Sequence, residues 1–114
     1  MAYYNITNRN QMIDLATIST GCSQMEETAK KFSTCADLVD SAATICDAEA
    51  LSVEKTTMQP QLEADADYIR SIGDSIANFA TAIRSVATQI YTAQENEYNI
   101  YIAEQAAKNN EENS

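Results

Sequence analysis

The sequence predicts an all-α protein, a long antiparallel helical hairpin of coiled-coil character that completes a four-helix bundle with a second hairpin. Three observations carry this. Ile69, Ile72, Ile76, Phe79, Ile83, Val86, Ile90 and Ala93 recur at alternating steps of three and four residues, the spacing that lines one stripe of an α-helix. Leu15, Ile18, Cys22, Met25, Ala29, Phe32, Ala36, Val39, Ala43, Cys46, Ala50 and Val53 keep the same rhythm earlier in the chain. Two Gly and one Pro in 114 residues leave few places to turn, so two matched stripes mean two matched helices in a single domain.

In chain order, the first residues are polar and aromatic without periodicity. Asn8 followed by Gln11 has the form of a capping box, which starts the first helix at residue 8. That helix runs to residue 54, with Lys55 suited to the negative end of its dipole and Gly21 as its one weak point. Residues 55–60, containing Thr56, Thr57 and Pro60, are expected to form the turn, because β-branched residues and proline interrupt a helix or open the next one. Glu63, Asp65 and Asp67 then place negative charge at the positive end of a second helix over 60–108, and 109–114 reads as a disordered tail.

Helices of roughly 47 residues are roughly 70 Å long. Pairing positions that add to about 115 aligns the two seams and sets large against small: Phe79 opposes Ala36, Ile72 opposes Ala43, Val86 opposes Ala29 and Ile69 opposes Cys46. A sum of about 122 aligns them equally well, since the pattern repeats every seven residues. In the first register Gly73 serves close approach to Ala42 or Ala43.

The chemistry of the chain excludes several functions. A formal net charge of -10, with seven basic residues, repels nucleic acid and anionic membrane surfaces. No window approaches the roughly 18 apolar residues that span a bilayer, and the N-terminus lacks a cationic region followed by an apolar one. The expectation is synthesis in the cytoplasm without a signal peptide and without membrane insertion. There is no histidine, hence no obvious neutral-pH base and no Glu-x-x-His metal motif, and the carboxylates are spread along the helices. No enzyme, metal or cofactor is expected. The acids at Glu26, Glu27, Asp37, Asp40, Glu63 and Asp67 read as solvated faces. Cys22 and Cys46 would lie roughly 36 Å apart on one helix, far beyond disulfide reach, so they pack as small hydrophobes in the seam, and Cys35 lies just off it.

A second stripe flanks each seam, Leu38, Ala42 and Ile45 on the first helix and Ala80, Ala87, Tyr91, Tyr98 and Ile102 on the second. Two helices cannot bury all of this surface, so these residues are the candidate interface with a second hairpin, as a homodimer or a heterodimer. Tyr91 is also followed four residues later by Glu95, and tyrosine offers the apolar body and polar tip that interfaces favour.

An acidic hairpin of this size, with Tyr-x-x-x-Asp/Glu late in its second helix, resembles the WXG100 (ESAT-6-like) superfamily, small substrates and targeting partners of type VII secretion. The chain has no Trp-x-Gly turn; Ser71-Ile72-Gly73 echoes only its glycine and the apolar spacing that follows. It is therefore more similar to the small helical partners of LXG-type toxins. That resemblance implies binding to a toxin's long N-terminal helical domain and to the secretion machinery, with Tyr91 and Glu95 as an export signal. The residue pattern also fits another class, a structural or adaptor coiled coil of a needle, tail or flagellar system or a cytosolic secretion chaperone.

Overall fold

A computed structural model describes residues 5–49 and 52–112, with the side chains of 46–55 outside the description. A 3-10 turn at Arg9–Gln11 precedes two α-helices, α1 over Leu15–Glu49 and α2 over Ser52–Glu112. The two long helices pack against each other as a hairpin, and no strand occurs among the described residues. The chain divides into two compact units, one of Gly21–Thr81 and one of Met1–Thr20 with Ala82–Ser114.

Three predicted boundaries move. The Asn8 and Gln11 signal is used, but on the 3-10 turn: Asn10 N–H donates to Asn8 Oδ1 and Thr7 N–H to Gln11 Oε1, both at 2.9 Å. The cap of α1 is Asp14, whose carboxylate accepts from the Thr17 N–H at 3.2 Å and the Thr17 hydroxyl at 2.8 Å. These bonds satisfy donors that a helix start leaves open and hold the Asp14 carboxyl below its ordinary value of 3.8. The turn expected at 55–60 is helical, with Pro60 inside α2, and α2 continues through 109–112 where a disordered tail was expected. The predicted seam positions Cys46, Ala50 and Val53, and Lys55, lie outside the described side chains.

Within Gly21–Thr81 the hairpin closes on small residues. Cys22, Ala29, Ala36 and Ala43 of α1 are buried at intervals of seven, and so are Ala66, Gly73 and Ala80 of α2. A coiled-coil row repeats every seven residues, and rows of Ala and Gly let two helices approach toward the short end of the roughly 8–10 Å range. Gly73 shows how close they come, since a Cβ there would meet the Ala29 carbonyl oxygen at 3.0 Å and Phe32 Cβ at 3.1 Å. The close approach expected of Gly73 is present, but its partners are Ala29 and Phe32 in place of Ala42 or Ala43. The register is therefore neither of the two predicted, having slipped by roughly three turns. The earlier start of α2 is the cause, because it brings the reversal forward.

The buried row of α2 is also not the predicted one. Ile69 and Ile76 are half-buried beside the small-residue row, whereas Phe79, placed in the seam by the sequence, is 62% exposed. Large side chains there would hold the helices apart; Ala80 does not.

In the other unit, Ala87 and Gln94 are buried while Val86 is exposed. Ser19 Oγ accepts from Arg84 at 2.9 Å, and Gln94 Oε1 accepts from the Ile13 N–H at 2.7 Å. Arg9 stacks 4.8 Å from the centre of the Tyr98 ring.

Candidate protein-interaction surface

The Gly21–Thr81 unit has two unlike sides. Glu26, Lys30 and Ser33 of α1 border one groove with Arg70, Asp74 and Ala77 of α2. Arg70 anchors it by donating to Asp37 at 2.9 Å and to Asp40, with Asp67 at 3.7 Å. Asp40 first and Asp37 second hold the Arg70 guanidinium still more firmly protonated. Arg70 thus spans the two helices on this side, a partly solvated cluster of modest strength that helps define register.

The opposite side is apolar. Met25 of α1 and Tyr68, Ile72, Ile76 and Phe79 of α2 line a shallow groove with Ser71 and Ser75. Tyr68 is 68% exposed and Phe79 62%, large for apolar groups that could have been placed inside. Only Arg70 and Asp74 are charged between Tyr68 and Phe79, and both line the other groove. On α1, Phe32 lies seven residues beyond Met25, and Cys35, Val39 and Ala42 follow at steps of three and four, with Leu38 and Ile45 beside them. Leu38 and Ile45 are exposed. The hydroxyl of Thr28, which lies on this side, donates to the carbonyl of Gln24, so it is satisfied within the helix. What this side offers another helix is an exposed apolar area, with Lys31, seven residues before Leu38, as a charge on its α1 part.

The predicted interface residues divide accordingly. Leu38 and Ile45 are exposed and Ala42 is half-buried beside them. Ala80 and Ala87 are buried inside the chain, so neither is open to a partner; their short side chains are what the hairpin closes on. Tyr68 and Phe79 were missed as surface residues, and Ile72 is half-buried between them. Their signal was the row Ala66, Gly73, Ala80 and Ala87, seven apart, which claims the inner face and turns the neighbouring large residues outward.

In the Met1–Thr20 and Ala82–Ser114 unit, Tyr91 and Glu95 are both half-buried one turn apart on α2. Tyr98, one heptad beyond Tyr91, lies beneath Arg9, and Ile102 is exposed. Among the described residues no group of three or more Cys, Asp or Glu side chains is placed to hold a metal ion, and Cys22 and Cys35 are free thiols, the first buried and the second exposed. Among the described residues no helix is long and apolar enough to cross a membrane. No family model, curated protein or solved structure matches this chain.

Proposed function

We propose that the protein is a non-enzymatic substrate or targeting partner of type VII secretion. It binds another helical protein, such as the N-terminal domain of an LXG-type toxin, and adds Tyr91 and Glu95 to a shared export signal read by the secretion machinery. It is synthesised in the cytoplasm and exported. The observation that carries the reading is the division of the Gly21–Thr81 unit into an ion-paired side and an apolar side with Tyr68 and Phe79 exposed. An apolar side of this kind completes a four-helix bundle when a second hairpin packs on it. A needle, tail or flagellar subunit, or a secretion chaperone, would use the same side.

The test is secretion from a host carrying the type VII apparatus. Glu95→Ala, folded as the parent by circular dichroism, is expected to lower export of the protein and of a co-expressed toxin with a long N-terminal helical domain. Undiminished export overturns the role of Glu95, and polymerisation of the purified protein on concentration identifies a needle or tail subunit.

A further inference from the structure

Antiparallel helices fall out of register with each other's ends, and here α1 runs short. Arg84 donates to Ser19, and α1 begins four residues before Ser19, at Leu15, so its first residue lies across from roughly residue 88 of α2. Beyond that level α2 has no α1 to face. Gln94 is nevertheless 8% exposed, and the group that meets it is the Ile13 N–H. Arg9 covers Tyr98, and Ile6 is buried at 6% exposure within the unit that Met1–Thr20 forms with Ala82–Ser114. Residues 6–13 thus lie where a longer first helix would have lain. They form a braced piece, held internally by the Asn8 and Gln11 side chains and fastened to α2 through one hydrogen bond and one cation–π contact, with the Ile6 side chain buried.

Tyr91 and Tyr98 are seven apart and share a face of α2, so this piece reaches the face that holds Tyr91. We infer that residues 6–13 are a releasable strap over the Tyr91–Tyr98 face of α2, and that its release opens this face to the export receptor. The second half rests on the reading of Tyr91 and Glu95 as an export pair. Segments with few buried contacts open while the rest of a protein stays folded, and a short strap without α-helical structure is such a segment.

Trypsin cleavage after Arg9 reads the strap in the full chain, with cleavage after Arg84, inside α2, as the internal control. Ile6→Asp is expected to speed cleavage at Arg9 by about five- to tenfold, in proportion to the open population, without speeding cleavage at Arg84. Gln94→Ala, which removes the acceptor on the opposite partner, is expected to act in the same direction and decides the matter if Ile6→Asp also loosens α2. Unchanged cleavage at Arg9 in both variants overturns the strap. In the type VII host, Ile6→Asp is expected to be exported faster than the parent, and equal or slower export overturns the gate. If Glu95→Ala is exported normally while the trypsin result holds, the export reading fails and the strap stands.

Discussion

Gly73 on α2 lies so close to α1 that a Cβ added to it would stand 3.0 Å from the carbonyl oxygen of Ala29 and 3.1 Å from Phe32 Cβ. Neither atom is the end of a flexible side chain, so both helices must part to admit a methyl group. Gly73→Ala gains about 1 kcal/mol of helix propensity but meets an overpacking cost of about 1–3 kcal/mol, and a lower melting temperature is expected. Gly21 has nothing within 4 Å of its added Cβ, and Gly21→Ala should raise stability by about 1 kcal/mol. Thermal melts followed by circular dichroism read both; a Gly73→Ala protein melting with or above the parent would show that the approach is not tight.

Pro60 lies two turns inside α2, which begins at Ser52. Its ring cannot donate the bond to the carbonyl four residues back and crowds it. Pro60→Ala is expected to stabilise the protein by up to about 3 kcal/mol. Were the helix to open at the proline, the residue would sit in a favoured first-turn position and the substitution would leave the melt unchanged.

Phe79 and Ala80 are neighbours with opposite surroundings, 62% and 0% exposed. Ala80→Asp drives a charge into the closest part of the hairpin and is expected to cost about 3–5 kcal/mol, enough to unfold it. Phe79→Asp is expected to cost about 1 kcal/mol or less and to weaken binding to a helical partner, read by gel filtration and co-purification. A partner bound equally well by the Phe79→Asp protein would remove the apolar side from the interface.

Asp14 gives α1 a pH-dependent start. Hydrogen bonds from the Thr17 hydroxyl and N–H lower its pKa in the folded protein from 3.8. A depressed carboxyl contributes stability above its unfolded value and loses it as pH falls through the folded one. Asp14→Ala should therefore melt below the parent near pH 7, and the gap should close as pH falls below 3.8 and through the lowered folded value. A gap that stays constant on acidification would mean that the Thr17 bonds do not depend on the carboxylate charge.

Much of this was legible in the residues. The apolar rhythm from Leu15 to Ala43 and from Ile69 to Ala93 specifies two helices wherever they pack, because only an α-helix brings positions three and four apart onto one stripe. The buried free thiol Cys22, the position of Cys35 off the seam and the exposed surface at Leu38 and Ile45 follow from the same counting.

What only the tertiary structure decided is which row of α2 turns inward and where the chain reverses. Ile72, Phe79 and Val86 and the adjacent row Gly73, Ala80 and Ala87 are both consistent with a seam by periodicity. The small row forms the contact because it lets the helices come within van der Waals reach, as Gly73 does against Ala29, and many weak contacts summed over a close interface outweigh a few large side chains holding it open. Gly73 against Ala29 goes with an α2 that begins at Ser52, and this packing overrides the local signals of Thr56, Thr57 and Pro60, whose propensities are weak beside it. Local sequence thus determined the helices and their apolar faces, and the closest approach of two backbones decided the register.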